Sequence, residues 1–206
     1  MKLIEQSAKI IGMDHEDAIR QMKMIEYAGR NCYASQRKIT DDSYNGFIEN
    51  LIRRGHESPL EFGFMKAELV TSRAVLAEIT RHRLASFCVE SQRYINEAGE
   101  GGIEFIKPWW FDNCSNNAKN VFIGSLVSAE QAYVYLIENG LLNQEARGVL
   151  PNATACKIEI AANLREWRHI FTLRCSPAAY PEISILMKKL LQEADALMPC
   201  VFGDLL

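Results

Sequence analysis

The run Phe62-Gly63-Phe64-Met65-Lys66-Ala67-Glu68-Leu69-Val70-Thr71 passes without a break into Ser72-Arg73-Ala74-Val75-Leu76-Ala77-Glu78-Ile79-Thr80-Arg81-His82-Arg83. The two halves read differently. The first carries Phe62, Phe64, Met65, Leu69 and Val70, which predicts a strand over 62–71. In the second, Ser72 is placed to cap a helix running to about Arg83, with Val75, Leu76 and Ile79 on its apolar face. A strand handing over to a helix, in a chain otherwise rich in helical patterns, predicts the α+β class.

Working outward, residues 14–33 predict a helix. Asp14 is placed to cap it, Glu16 and Asp17 suit its first turn, and Ile19, Met22, Ile25 and Tyr27 form a rough apolar stripe. A second helix is predicted over 42–54, with Gly55 just past its end, followed by the turn Gly55-His56-Glu57-Ser58-Pro59. Residues 84–102 are mixed, and Ile103–Ile106 reads as a short strand stopped by Pro108. The longest helical stretch is 115–139, ended by Asn139-Gly140, and a short helix over 143–150 stops at Pro151. Residues 153–162 fit strand or helix. Asn163 and Glu166 have capping-box spacing and open a helix to about Leu173. Pro181 starts a final helix to about Met198.

The 206 residues are 48% hydrophobic and 24% charged, which excludes a disordered or low-complexity chain. No apolar run approaches the roughly 20 residues that span a bilayer, and no signal peptide is visible at Met1–Ile11. A formal net charge of −3 argues against a duplex-coating protein. The six cysteines form no C-x-x-C pair and read as reduced, buried thiols of a cytoplasmic protein.

Arginine sits in unexpected places. On the 72–83 helix Glu78 and His82 fall to one side, Arg81 lies opposite, and Arg83 returns to the apolar sector. On the 164–174 helix Leu164, Trp167, Ile170 and Phe171 face inward, Arg165 and His169 share the polar side, and Arg174 projects into the apolar sector. A charge there needs a partner, unless the helix ends earlier or the side chain snorkels out. Arg81, His82, Arg83, Ser91 and Arg93, with Arg165, His169 and Arg174, point to an anionic small molecule, because the guanidinium fork matches phosphate and ring carbonyls. Zinc-protease, deaminase, Rossmann and P-loop patterns are absent, so no metal is expected and any nucleotide must be held by side chains and helix ends.

Arg81-His82-Arg83, seven residues, then Ser91 resembles the R-H-R-x7-S signature of the flavin-dependent thymidylate synthases. Gly55-His56-Glu57-Ser58-Pro59, Ser91-Gln92-Arg93-Tyr94, Glu145-Ala146-Arg147 with Val149-Leu150-Pro151, and Asn163-Leu164-Arg165-Glu166-Trp167 leading to His169 and Arg174 resemble further segments of that family, in family order from about residue 26 to 183. The resemblance implies a helix-rich α+β single domain over residues 1–206 with a small, mostly antiparallel sheet, assembled as a homotetramer with shared active sites. It implies FAD-dependent methylation of dUMP to dTMP, with methylene-tetrahydrofolate as carbon donor and NADPH as reductant. Carried over position by position, Ser58, Arg81, His82, Arg83, Asn163, Arg165 and His169 would hold FAD. Glu78, Arg81, Glu90, Ser91, Gln92, Arg93, Arg147 and Arg174 would meet dUMP, and His56 and Tyr94 would lie on the folate or nicotinamide side.

The resemblance puts Arg174 at the uracil ring, where a guanidinium polarises a carbonyl without yielding its proton. Ser91 reads as a phosphate donor rather than a nucleophile, since no base stands in its own segment. Cys88 as a nucleophile would depart from the family. Val89 and Tyr180 stand where relatives carry other residues, and the 95–114 segment is short. The competing readings are a catalytically impaired relative and an anionic nucleotide-binding protein.

Overall fold

The computed structural model describes residues 1–99 and 101–206. In chain order these form β1 (Lys2–Ile4), β2 (Ser7–Ile10), α1 (His15–Asn31), α2 (Tyr44–Arg53), β3 (Phe64–Ser72), α3 (Arg73–Ile79), β4 (Ser86–Val89), β5 (Glu104–Ile106), α4 (Asn116–Glu138), α5 (Asn143–Ala146), β6 (Ala155–Asn163), α6 (Leu164–Arg174), α7 (Pro181–Leu197) and α8 (Pro199–Phe202). Short 3-10 turns occupy Gln36–Lys38, Ser58–Phe62, Phe111–Asn113, Arg147–Val149 and Gly203–Leu205. Strands β2, β3, β6 and β4 hydrogen-bond in that order, while β1 and β5 pair in parallel with Lys2 opposite Glu104 and Ile4 opposite Ile106. The fold is α+β and helix-rich with a small antiparallel sheet, to which the β1–β5 pair is the parallel addition.

The chain gathers into two compact units. The first takes Met1–Ser7, Leu69–Arg81 and Cys88–Ile158, and the second takes Ala8–Glu68, His82–Phe87 and Glu159–Leu206. In the first, Ile103, Phe105, Leu126, Tyr133 and Ala146 form a buried apolar cluster. Helix α4 starts on Ser115, whose side chain accepts the Ala118 N–H. Leu126 and Tyr133 are its buried residues, while Val121 and Tyr135 stand exposed.

In the second unit, Asp14 and Asp17 close a reciprocal capping box on α1, an arrangement worth about 1 kcal/mol. Helix α2 is followed by Gly55 at φ +70°, a left-handed conformation that glycine adopts without Cβ strain. Leu164, Trp167, Ile170 and Phe171 of α6 are all fully buried. Phe171 stacks near Trp167 and Phe202, with centroids 5.4 and 5.5 Å away. The Trp167 indole N–H donates to the Met65 carbonyl at 2.8 Å, so its polar edge is satisfied inside the core. Ile183, Leu186, Met187 and Leu190 of α7 are fully buried too, each such side chain being worth about 1.5–3 kcal/mol.

Several expectations need correction. Residues 153–162 resolve as strand β6, because Cys156, Ile158, Ile160 and Ala162 alternate inward with Lys157 and Glu159 between them. Strands β1 and β2 were not anticipated. Helix α3 is capped by Ser72 as expected but stops at Ile79, short of Arg83. There the Thr80 hydroxyl and N–H both bond back to the Leu76 carbonyl. The 143–150 helix is one α turn followed by a 3-10 turn. The cysteines are all free, but Cys156 and Cys200 alone are buried, while Cys32 and Cys88 are exposed. Burial pushes the Cys156 and Cys175 thiols up to about 11 and Cys200 up to about 12.

Candidate active site

Helix α6 organises the second unit's polar side chains. Asn163 caps it, its side-chain oxygen accepting the Glu166 N–H at 2.8 Å. The Glu166 carboxylate does not return to the cap. It lies instead 3.5 Å from Nδ1 of His82. One turn along, Arg165 and His169 face solvent as expected. Arg168, between them in sequence, is buried and was not anticipated. Its guanidinium forms a two-pronged pair with Asp204 at 2.6 and 2.8 Å and also donates to the Val201 carbonyl. Glu57 sits between the two arginines, 4.0 Å from Arg165 and 3.7 Å from Arg168, and Arg165 also pairs with Glu61 at 2.7 Å.

Within Arg81-His82-Arg83, Arg81 is exposed as expected, but the other two depart from the sequence expectation. Because α3 ends early, Arg83 is exposed rather than on an apolar helix face. His82, expected to one side of the apolar face with Glu78, is only 4% exposed. Arg174 is half-buried at the last residue of α6, and its Nε–H donates to His82 Nε2 at 3.0 Å. An arginine nitrogen only donates, so His82 Nε2 must present its lone pair and the ring proton sits on Nδ1, facing Glu166. Burial, then the Arg174 and His169 charges, push His82 down to about 4, so it is neutral at physiological pH. The His169 ring meets that of His82 edge-on, 5.7 Å between centroids.

Two cavities in the second unit collect predicted residues. One of about 670 Å³ is lined by Asn163, Arg165 and His169 together with Glu57, Glu166 and Arg168. The other, about 430 Å³, is lined by His56, Ser58, Tyr33 and Arg165. Here the Tyr33 hydroxyl and His56 Nδ1 are 3.3 Å apart. Ser58 also borders an apolar groove of about 510 Å³ with Met24, Tyr27, Cys32 and Phe62.

The nucleotide-side residues belong, Arg174 apart, to the first unit. Ser91 accepts the Arg93 N–H at 3.3 Å, and the Arg93 guanidinium lies 5.4 Å from the Tyr94 ring centre. The Tyr94 carbonyl is held by Asn143 at 3.1 Å. Arg81, Arg93 and Arg147 are exposed, and Glu78 is half-buried on α3. Glu90 is taken up in pairing with β6: its N–H bonds to the Lys157 carbonyl and its carboxylate accepts the Lys157 N–H. Glu90 also borders a cavity of about 370 Å³ with Lys2, Glu97, Glu104 and Cys156, a set that the other predicted nucleotide residues do not join. Sequence reasoning missed Arg73, which donates to the Glu90 carbonyl at 3.0 Å and lies 3.8 Å from Glu97. Burial raises the Glu97 carboxyl, partly offset by hydrogen bonding to Gln92 and by Arg73.

Among the described residues, no group of three or more His, Cys, Asp or Glu is arranged to hold a metal, and no helix is long and apolar enough to cross a membrane. The family described as thymidylate synthase complementing protein matches residues 16–200. The chain is 31% identical over 187 residues to the flavin-dependent thymidylate synthase of Geobacter sulfurreducens, covering 87% of this chain and 80% of that protein. It is 31% identical over 205 residues to a probable flavin-dependent thymidylate synthase of Mycobacterium phage D29, covering 93% and 86%. A UMP/dUMP methylase of Streptomyces cacaoi, bound with 5-Br UMP, shares the fold with a TM-score of 0.78 at 22% identity, over 98% of this chain and 95% of that one.

Proposed function

The chain belongs to the flavin-dependent thymidylate synthase family, and we propose that residues 1–206 act as one cytoplasmic catalytic domain that methylates dUMP to dTMP, using FAD, methylene-tetrahydrofolate and NADPH. The observation that carries this reading is the second unit's cavity of about 670 Å³, lined by Asn163, Arg165 and His169. Its size falls in the range of small-molecule sites, and its donors suit an anionic aromatic ligand. Arg168, buried at its wall, keeps its Nε 3.7 Å from the Glu57 carboxylate and so holds that side of the cavity in place. The second unit's residues therefore fit FAD, with Ser58 and Arg83 added to that set. When bound, FAD would supply the hydride that completes the methyl group.

The remaining roles belong to the chain's own side chains. Arg174 stabilises negative charge on the uracil carbonyl and N3, favouring the enolate-like form of the ring whose carbon is the nucleophile. Ser91, Arg93 and Arg147, with Arg81, Glu78 and Gln92, hold the nucleotide, Ser91 as a phosphate donor. His56 and Tyr94 face the folate or nicotinamide. A homotetramer is supported by α4, where the apolar Val121 and Tyr135 are 74% and 65% exposed on a helix that buries only Leu126 and Tyr133. Light scattering should report four chains, and mixing Arg93→Ala with Arg174→Ala chains should restore part of the activity.

The deciding experiment titrates the purified protein with FAD and then supplies dUMP, methylene-tetrahydrofolate and NADPH. A yellow, stoichiometric complex that forms dTMP is expected. Protein that fails to take up FAD would refute the reading. Uptake of FAD without dTMP formation would identify an impaired relative.

A further inference from the structure

The second unit contains a short chain of contacts that runs from a carboxylate through a neutral imidazole to an arginine. Glu166, fixed by the Asn163 cap at the start of α6, lies 3.5 Å from His82 Nδ1. His82 Nε2 accepts the Arg174 Nε–H at 3.0 Å. Glu166 and His82 are 6% and 4% exposed, so both sit in a setting where unpaired polar atoms are costly. Each end of the imidazole therefore has one role only. Nδ1–H meets an acceptor, and Nε2 meets a group that can do nothing but donate. His169, edge-on to the ring, is the other titratable neighbour that faces it.

We propose that Glu166 and His82 are positioning residues which set the orientation of the Arg174 guanidinium through its Nε–H. The inference rests on the proposed role of Arg174 toward uracil. A carboxylate orienting a histidine that in turn orients the acting group is an arrangement whose worth lies in geometry, since a small misplacement of a preorganised donor costs much of its effect. The carboxylate also selects the tautomer. With the proton on Nε2 instead, two N–H groups would face each other and Arg174 would be driven away.

The test has two arms. The first is the nitrogen-15 spectrum of histidine-labelled wild-type protein at pH 7, with His82 assigned by difference from His82→Gln. The neutral Nδ1–H tautomer is expected, and an Nε2–H tautomer or a charged ring would overturn the proposal. This arm needs no turnover, so it decides the arrangement even if the wild type forms no dTMP and the functional reading itself fails. The second arm is a double-mutant cycle on the flavin reoxidation step with dUMP and methylene-tetrahydrofolate. Glu166→Leu should slow that step about tenfold in the native background and less than about twofold in Arg174→Ala, since residues that act as a unit are not additive. Glu166→Gln, which keeps an acceptor for Nδ1–H, should recover most of the rate. An equal loss in both backgrounds would mean that Glu166 merely supports the fold. If Glu166→Leu does not fold, the wild-type spectrum and the Gln variant carry the test, and a Gln variant as slow as Arg174→Ala would overturn it.

Discussion

Arginines around the second unit's cavities are held, whereas three predicted nucleotide arginines of the first are presented; Arg83 in the second unit and Arg73 in the first run the other way. Arg165, Arg168 and Arg30 each lie against a carboxylate, and Arg174 donates to His82. Arg81, Arg93 and Arg147 are exposed and, among the described residues, form no ion pair. Held arginines lose their conformational freedom on folding and meet a ligand already oriented. Presented ones lose it on binding, which weakens affinity but lets a loop adjust to its ligand. The proposed chemistry divides the same way: the uracil-polarising arginine needs a set direction, whereas phosphate is a forgiving target that several mobile cations can share.

Variants can sharpen or break this contrast. The largest effect should come from the second unit's core: Phe171→Ala removes a fully buried ring packed on Trp167 and Phe202 and should destabilise the protein by about 3–5 kcal/mol in urea unfolding. Next, Arg174→Ala should fold and bind FAD but slow methylation roughly a hundredfold or more, as when a preorganised donor is lost. Arg174→Lys should rescue poorly, because a point charge lacks the fork. Anaerobic stopped-flow showing near-normal flavin reoxidation in Arg174→Ala would erase the distinction between held and presented arginines. In the first unit, Ser91→Ala should weaken dUMP binding by about 1.5–3 kcal/mol yet keep turnover, as read by KM against kcat.

The last expected effect is a pH dependence. His82 titrates at about 4 in the folded protein against an ordinary 6.5, so the unfolded chain takes up the proton first. Its contribution to stability is complete above about 6.5 and is lost as pH falls toward 4. Thermal unfolding between those values should show the decline, and His82→Gln should flatten that part of it.

Local signals carried much of the fold. Asp14, Ser72 and Asn163 all cap the helices they were expected to open, because a cap acts within three residues of chain. The inward face of α6 was legible for the same reason. What failed depended on distant partners. Nothing local ends α3 at Ile79, since Thr80-Arg81-His82 contains no glycine or proline. With that end misplaced, neither His82 nor Arg83 lies in its expected surroundings. Arg168 reads as one more charge on a polar helix until Asp204 is brought to it from the far end of the chain. Strands β1 and β2, of three and four residues, are too short to show a period. The alternation in Cys156-Lys157-Ile158-Glu159-Ile160 was present, but the small residues around it kept helix open as a reading.

The cysteines divide into two reporters. Cys156 and Cys200 are buried, and their thiols stay protonated well above neutral pH, so an alkylating dye should reach them only as the chain opens. Cys32 is exposed on the walls of both the His56 cavity and the groove beside Ser58. A dye reacting there competes with whatever fills those spaces. With the exposed Cys88 replaced by serine, labelling of Cys32 in the native protein would therefore follow ligand occupancy, and labelling of Cys156 and Cys200 in denaturant would follow unfolding, so one chain carries probes for both processes.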